Sequence, residues 1–434
     1  MDNFTIGIIG VLALVGLVFL GMRVFLAAAL VGTLGLVSMI GWESGLGMAG
    51  TIPHSKAVSY SLSVLPMFIL IGFLAFHAGI TEALFDAGRK WLGWLPGGLA
   101  VATVVAATGF AAVSGASTAT AAVFARTAIP DMLKYGYDRR LAAGVVAAGG
   151  TLATLIPPSA ILVIYAIIVE QSVGALLVAG FLPGIVSALI YVLLIIGMVM
   201  LKPSLGRSLR GFTWGERIKS VPGTFPIILV VVIIFTAMYE GWATPTEAGA
   251  LGASVVFVMA MLKGMKFANL REALMETAKL TVMIFSIIWG VLVFVRFLGF
   301  AGLPDAFAKW VVALPFEPIY VLIGILLFYA ILGMFMDAIG MLLLTLPVVY
   351  PAVIGLGYDP IWFGIIVVKM AEICLITPPI GLNCFVVNGV RPDIPLSDVF
   401  KGIGPFFVAD VATIAVLIAF PEIVTWLPKM MNMG

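Results

Sequence analysis

Two proline pairs, Pro157-Pro158 and Pro378-Pro379, interrupt apolar segments that are long enough to cross a membrane. A proline removes a backbone hydrogen-bond donor and clashes with the preceding helical turn, so each pair is expected to end a helix. Inside a membrane, the carbonyl groups freed by such a break must line a cavity or bind a ligand. Hard cations prefer oxygen ligands of this kind. The two breaks therefore predict a cation-binding centre, for which sodium is a suitable ion.

Polar residues surround both breaks and also interrupt two shorter apolar stretches. Those around the breaks supply hydroxyl and amide groups: Gly150, Thr151, Thr154 and Ser159 at the first, and Thr377 and Asn383 at the second. The two shorter stretches have the polar tips Ser114-Gly115-Ala116-Ser117-Thr118 and Asp337-Ala338-Ile339-Gly340. Half-helices that begin after each tip and break would direct partial positive charge into the same space, which favours an anionic ligand. Close packing of helices is the alternative role for any single Gly, Ser or Thr.

Charged residues within apolar sequence are the next candidates. An unpaired carboxylate such as Asp337 costs about 2.5–3.5 kcal/mol at the centre of a membrane, so a cation site or coupling role is favoured over a structural ion pair. Lys369 and Glu372 are three residues apart, and we expect them to neutralise each other as a structural pair. Arg126 suits an anchor at the membrane boundary or a ligand for a substrate carboxylate. The anchor is favoured, and the ligand role stays open.

The composition is that of a polytopic membrane protein. Of the 434 residues, 62% are hydrophobic and 10% are charged, whereas soluble domains have about 25% charged residues. The net charge of +2 gives no reason to expect a nucleic-acid partner. The two histidines lack the spacing of a zinc site, and the sequence contains neither a G-x-S-x-G elbow nor a phosphate-binding loop. We therefore expect a transporter driven by an ion gradient, without a transition metal, and not an enzyme.

An internal repeat relates the two halves of the chain. The two proline pairs are separated by 221 residues (378 − 157), and the same offset relates Gly136-Tyr137-Asp138 to Gly357-Tyr358-Asp359. Matches at offsets of 219 and 222 continue upstream and downstream, for example Asp86 with Asp305. We therefore divide the chain into a first repeat (1–201), a cytoplasmic linker (202–223) and a second repeat (224–434).

The predicted fold is all-α, with about five spanning helices in each repeat, one of them broken at its proline pair. Each repeat also contains an amphipathic arm helix, at Thr81–Trp94 and Pro304–Ala313, and a re-entrant hairpin. The hairpins are predicted at about 99–130 and 318–349, with short arms of roughly 10–14 residues. The complete spans are predicted at about 4–21, 24–41, 60–78, 141–168, 180–201, 224–239, 244–262, 280–298, 362–388 and 403–422.

Basic residues indicate that the second repeat is inverted in the membrane. The segment Asp131–Arg140 contains three Lys or Arg residues, whereas the equivalent segment Ala352–Ile361 contains none. Repeats that enter from opposite sides should differ in this way, because basic loops remain in the cytoplasm. Two further basic segments are expected on the same side: Lys202–Lys219, with Arg207, Arg210 and Arg217, and Lys263–Lys279, with Lys266 and Arg271.

Over essentially its whole length, the chain resembles the large membrane subunit of tripartite ATP-independent periplasmic (TRAP) transporters, the DctM-like family. The most specific stretches of the resemblance are Ser114-Gly115-Ala116-Ser117-Thr118-Ala119-Thr120, Tyr135-Gly136-Tyr137-Asp138 onward to Gly149-Gly150-Thr151-Leu152, Ile156-Pro157-Pro158-Ser159 and Thr377-Pro378-Pro379-Ile380-Gly381-Leu382-Asn383. The resemblance implies a sodium-coupled importer of organic acids in the bacterial inner membrane. It implies an elevator movement, in which hairpins and broken helices move as a block against a scaffold. It also implies two partners, a small four-helix membrane subunit and a periplasmic substrate-binding protein.

The resemblance further implies two sodium sites. One lies between the first tip and the first break, with Ser114, Gly115, Ser117, Gly150, Thr151 and Pro157 as ligands. The other lies between the second tip and the second break, with Asp337, Gly340, Thr377, Pro379 and Asn383. The substrate is expected between the two tips, with Ser117, Thr118, Thr154, Ser159, Asn383 and Arg126 as candidate ligands.

Two alternatives stay open. A stand-alone sodium–dicarboxylate symporter of related fold would share the hairpins and broken helices but would need no binding protein. A membrane enzyme or a scaffold is disfavoured, because the sequence has no catalytic constellation. The substrate is equally open, since C4-dicarboxylates, sugar acids and sulfonates all suit a small cavity beneath helix N-termini.

Overall fold

The computed structural model describes residues 2–57, 60–209 and 211–431. Arg210, one of the basic residues counted above, lies outside the described residues. Within the described ranges the chain forms twenty-one α-helices and no β-strand, which confirms the predicted all-α class.

The order of helices repeats along the chain. The first half contains α1 (Asn3–Phe19), α2 (Val24–Ile40), α3 (Trp42–Ala57), α4 (Val64–His77), α5 (Ile80–Leu92), α6 (Gly98–Ser114), α7 (Ser117–Lys134), α8 (Arg139–Thr151), α9 (Ala160–Ile168) and α10 (Val173–Leu201). The linker and second half contain α11 (Trp214–Ser220), α12 (Phe225–Tyr239), α13 (Pro245–Leu262), α14 (Phe267–Ala301), α15 (Leu303–Val312), α16 (Pro318–Gly333), α17 (Ala338–Gly355), α18 (Pro360–Cys374), α19 (Leu382–Val390), α20 (Leu396–Ala419) and α21 (Glu422–Met430). Helices α5 to α10 correspond in order to α15 to α20: arm, hairpin, broken helix and long helix.

Several helices are long and apolar enough to cross a membrane. Five described helices meet this condition, namely α10, α13, α14, α17 and α20, and two bent pairs raise the number to seven. The remaining predicted spans are formed by shorter helices. Helices α1 and α2 have 17 residues each, and each broken helix is divided in two. Helix α14 has 35 residues, which is about 52 Å at 1.5 Å per residue. It is longer than the predicted span at 280–298 because its polar first turns are also helical.

The hairpin arms are longer than predicted. Helices α6 and α7 have 17 and 18 residues, and α16 and α17 have 16 and 18, so the expectation of 10–14 residues is wrong. For the second arm of each hairpin, the reason is that α7 continues through Pro130 and α17 through Pro347 and Pro351. Neighbouring groups can satisfy the backbone beside a proline inside a membrane protein. The tips lie where the sequence predicts them, between Ser114 and Ser117 and between Gly333 and Ala338.

Both proline pairs lie in gaps between half-helices, as predicted. Helix α8 ends at Thr151 and α9 begins at Ala160, while α18 ends at Cys374 and α19 begins at Leu382. Both Pro–Pro peptide bonds are cis. The two breaks differ in their surroundings, because Pro157-Pro158 is buried and Pro378-Pro379 is exposed. Equivalent sequences therefore occupy unequal environments in this conformation.

The linker and the first basic segment lie on one face of the molecule. The backbone N–H of Asp138 donates to the carbonyl oxygen of Leu205 at 2.9 Å, and the indole N–H of Trp91, at the end of α5, donates to the carbonyl oxygen of Arg217 at 3.2 Å. These contacts place 131–140 and 202–219 together, as the distribution of basic residues requires.

Tyr137 connects the base of the first hairpin to this linker through two hydrogen bonds. Its hydroxyl accepts from the backbone N–H of Leu99 at 3.0 Å and donates to the carbonyl oxygen of Arg207 at 2.7 Å. Burial raises the pKa of Tyr137 to about 12, so the hydroxyl stays protonated and can donate at neutral pH.

Removing this hydroxyl should destabilise the protein. We expect Tyr137→Phe to lower the free energy of unfolding by about 1–3 kcal/mol, because it leaves the buried backbone N–H of Leu99 without a partner. The melting temperature in detergent measures the effect. Tyr358 is the matched control: it is the equivalent residue of the second half, and its hydroxyl makes no hydrogen bond within the described part of the chain. Equal melting temperatures for Tyr137→Phe and Tyr358→Phe would contradict the prediction.

Candidate ion and substrate site

The tip of the first hairpin lies directly against the first break. Gly115 has a left-handed backbone (φ +57°), and a Cβ atom at this position would collide with the carbonyl oxygen of Pro158. On the other side of the tip, a Cβ atom on Gly150 would lie 2.9 Å from the carbonyl oxygen of Ser117. The first tip and the first break therefore form one closely packed unit, as the sequence predicts.

Three helix N-termini converge on this unit. Helix α7 begins at Ser117 and α9 at Ala160, whose backbone nitrogen lies 3.8 Å from the position that a Gly115 Cβ would occupy. Helix α19 begins at Leu382, and the next residue, Asn383, donates from Nδ2 to Ser117 Oγ at 2.8 Å. Each N-terminus carries a partial positive charge. Their convergence creates a setting in which a carboxylate is electrostatically favoured.

Asn383 joins the second broken helix to the first hairpin. Its Nδ2 also donates to the carbonyl oxygen of Ala147 at 3.1 Å. The resemblance groups Asn383 with Asp337, but the structure places it at the first tip, because α19 packs on α7 and α8. The side chain is fully buried, and its Oδ1 has no hydrogen-bond partner. An unpartnered amide oxygen beside hydroxyl and carbonyl groups suits a sodium ion.

The remaining polar residues of the first break bond to one another. Thr154 Oγ1 donates to the carbonyl oxygen of Thr151 at 2.9 Å, and Ser159 Oγ donates to that of Thr154 at 2.5 Å. Ser159 Oγ also accepts from the backbone N–H of Leu162 and so caps α9. These buried hydroxyls stabilise the shape of the break, and a contact with substrate through them stays a prediction.

The residues predicted for a second sodium site form two separate groups in this structure, one at the second tip and one at the second break. Asp337 is exposed, and its Oδ2 accepts from the backbone N–H of Gly340 at 3.0 Å, so it caps α17. Thr377 is half-buried and donates to the carbonyl oxygen of Ile373, while Pro379 is exposed. Among the described residues, no hydrogen bond joins Asp337 to the second break. In this conformation the carboxylate of Asp337 is satisfied in part by the α17 N-terminus that it caps.

A cavity of about 480 Å³ lies between the first hairpin, α4 and α14. Ser114 reaches it from the tip, and its charged lining consists of Arg126, His77, Glu272 and Glu276. His77 Nε2 and Glu276 Oε2 are 2.9 Å apart. Arg126 is nine residues after the start of α7, about 13 Å along the helix axis, so the structure separates it from the tip. Thr118, in the first turn of α7, is half-buried.

A charged cluster is buried behind the first break. Lys369 Nζ lies 3.1 Å from Glu372 Oε1, which confirms the predicted ion pair, and 2.7 Å from Asp410 Oδ1. All three side chains are completely buried. Asp410 is missed by sequence reasoning, because it is 41 residues from Lys369 and no local spacing relates them. Glu372 and Thr151 occupy equivalent positions of the repeat (372 − 151 = 221), but equivalence alone does not predict a contact between them.

A family model described as "Tripartite ATP-independent periplasmic transporter, DctM component" matches residues 8–423. The chain belongs to this family. The C4-dicarboxylate TRAP transporter large permease protein DctM of Pseudomonas aeruginosa is 37% identical over 374 residues, which cover 85% of this chain and 84% of that protein. The sialic acid TRAP transporter large permease protein SiaM of Vibrio cholerae is 29% identical over 422 residues, 96% of each chain.

Among solved structures, the Alcanivorax borkumensis YdaH transporter resembles this DctM chain with a TM-score of 0.57. The match covers 88% of this chain and 89% of that chain at 12% identity, so the likeness concerns the fold alone. As the DctM component of a tripartite transporter, the chain is a multi-pass inner-membrane transport subunit and not an enzyme. It works with a small permease subunit and a periplasmic binding protein.

The ligand groups of this DctM chain are chiefly neutral oxygens. Within the ranges that the structure describes, no group of three or more His, Cys, Asp and Glu residues could hold a metal ion. Hydroxyl, amide and carbonyl oxygens instead surround the first tip and break. This donor set fits a hard monovalent cation better than a transition metal.

Proposed function

We propose that this DctM component imports a small organic acid across the bacterial inner membrane by coupling its uptake to sodium. The convergence of the α7, α9 and α19 N-termini on the first tip carries the proposal, since it favours a carboxylate near Ser117. The relatives named for C4-dicarboxylates and sialic acid support an acid as substrate.

Sodium would be held chiefly at the first tip and break. Ser114, Gly115, Ser117, Gly150, Thr151 and Pro157 would provide its ligands, and the unpartnered Oδ1 of Asn383 supports this assignment. A bound sodium ion supplies positive charge beside the substrate carboxylate. Asp337, Gly340, Thr377 and Pro379 would form a second site after a rearrangement that brings the second tip to the second break.

We further propose an elevator movement. The hairpins and broken helices form the moving block, and α1 to α4 with α12 to α14 form the scaffold. The 480 Å³ cavity between the first hairpin, α4 and α14 supports this division, because it leaves the two parts incompletely packed at the boundary along which they would slide. A periplasmic binding protein delivers the substrate, and a small four-helix subunit accompanies the scaffold.

Uptake by the reconstituted complex tests the coupling. The chain is placed in liposomes with its small subunit and binding protein, and the probe is the acid that most stabilises that binding protein in a thermal-shift screen. We expect uptake under an inward sodium gradient and only the level of protein-free liposomes when potassium replaces sodium. Undiminished uptake in potassium would refute sodium coupling. Full uptake without the binding protein would instead identify a stand-alone symporter.

A further inference from the structure

The buried charged cluster consists of side chains from helices in both halves of the chain. Besides its bonds to Glu372 and Asp410, Lys369 Nζ donates to Ser187 Oγ at 2.7 Å. Tyr191, on α10, donates to Asp410 Oδ1 at 2.6 Å. The ammonium group can donate three hydrogen bonds, so Lys369 is fully engaged within the cluster.

The cluster has a surplus of negative charge. It contains two carboxylates and one ammonium group, and the other members, Ser187, Tyr191 and Thr151, are neutral. One oxygen of each carboxylate, Glu372 Oε2 and Asp410 Oδ2, is buried without a hydrogen-bond partner. A buried charge without a counter-charge is strongly destabilising. With both carboxylates ionised the cluster carries one net negative charge, which either a proton or a nearby cation would offset.

Thr151 connects this surplus charge to the proposed sodium site. Its Oγ1 lies 2.7 Å from Glu372 Oε1. The carbonyl oxygen of Ala148, also at 2.7 Å, is a second acceptor for the single hydrogen of this hydroxyl. When the hydrogen points to the carboxylate, a lone pair of Oγ1 stays available to a cation. The other residues assigned to the first sodium site, Ser114, Gly115, Ser117, Gly150 and Pro157, carry no charge. Among the described residues, Glu372 is the carboxylate that hydrogen-bonds to a member of this set.

We infer that Glu372 is the counter-charge of the sodium ion at the first tip and break, and that it acts through Thr151 as a positioning residue. Glu372 orients the Thr151 hydroxyl and supplies the negative field that a neutral ligand set lacks. Sodium in turn supplies the positive charge that the cluster lacks. The inference rests on the proposed sodium coupling and adds to it the source of the site's negative charge.

A sodium titration of thermal stability tests this without the partner proteins. A ligand that binds the folded state raises the melting temperature according to its concentration and affinity. The purified chain is melted in increasing NaCl, with KCl keeping the ionic strength constant. Glu372→Gln keeps the size of the side chain and the acceptor for Thr151 but removes the charge. We expect it to raise the sodium concentration for half-maximal stabilisation about tenfold, since loss of a group that supports a metal ligand costs roughly 10–100-fold in affinity.

Two further variants separate this role from a purely structural one. Glu372→Asp keeps the charge and should titrate closer to wild type than Glu372→Gln. Asp398→Asn removes another carboxylate of low exposure, which pairs with Arg139 and Arg140 at the base of the moving block. It should change the melting temperature in KCl but leave the sodium titration at the wild-type midpoint.

The outcomes distinguish this inference from the proposed function. If wild type is not stabilised by sodium more than by potassium, the sodium site itself is absent and the proposed coupling fails with it. If wild type responds to sodium and Glu372→Gln has the same midpoint, the coupling stands and the role of Glu372 is refuted. In liposomes, Glu372→Gln should likewise raise the sodium requirement of uptake about tenfold while the KM for substrate at saturating sodium stays unchanged.

Discussion

Replacing Lys369 with methionine should lower the free energy of unfolding by about 3–5 kcal/mol, the cost of removing one partner from a buried ion pair. The substitution leaves Glu372 and Asp410 as two buried carboxylates without a counter-charge, 0% exposed in both cases. It also removes the hydrogen bond to Ser187 and the ammonium group that lies 5.6 Å from the centre of the Tyr191 ring. The melting temperature and the yield of folded protein in detergent measure the loss.

A double substitution tests whether charge is the cause. Lys369→Met combined with Asp410→Asn restores the original net charge of the cluster, so it should be more stable than Lys369→Met alone. Losses that simply add would contradict the electrostatic explanation. The exposed Lys309, on α15, is the matched control: Lys309→Met should change stability by no more than about 0.5 kcal/mol.

Gly115→Ala should reduce uptake to the level of protein-free liposomes. The left-handed backbone at Gly115 costs an alanine about 1–2 kcal/mol, and its Cβ would also collide with the Pro158 carbonyl oxygen. The tip must therefore move away from the first break, and this movement displaces the α7 N-terminus from that of α9. Both the proposed sodium ligands and the carboxylate site depend on that contact. Uptake with a saturating sodium gradient measures the effect.

Gly136 provides the control for backbone strain. Its φ is +77°, also in the left-handed region, and a Cβ atom there would meet no atom within 4 Å. Gly136→Ala should therefore cost about 1–2 kcal/mol of stability and retain uptake when the folded amounts are matched. Equal losses of uptake in the two variants would show that strain, and not the contact between tip and break, is responsible.

The sequence predicts where the helices, tips and breaks of this site lie better than it predicts which residues contact one another. The proline pairs fix both helix breaks, because the effect of proline on a helix is local. The polar tips are equally local signals, as are the amphipathic arms α5 and α15. The second arm of each hairpin is longer than predicted, because α7 continues through Pro130 and α17 through Pro351, which the surrounding structure accommodates within helices.

The sequence alone does not predict the contacts between residues that are far apart in the chain. The resemblance groups Asn383 with the second tip, whereas packing of α19 on α7 brings it to Ser117, 266 residues away. Asp410 had no neighbour in sequence to mark it as a partner of Lys369. The apolar neighbours of Asp337 in the sequence favour a cation site, and its place at the start of α17 also gives it a capping role that depends on where the helix begins.

The order of the buried charges along the chain also suits synthesis and insertion into the membrane. Lys369 and Glu372 share one helix, α18, and lie 3.1 Å apart, so this helix can enter the bilayer as an internally neutral unit. Either charge alone would oppose insertion by about 2.5–3.5 kcal/mol. Asp410 follows on α20, when Lys369 is already in place to receive it. The ribosome thus releases the third charged residue of the cluster last, after the helix with which it pairs has been made.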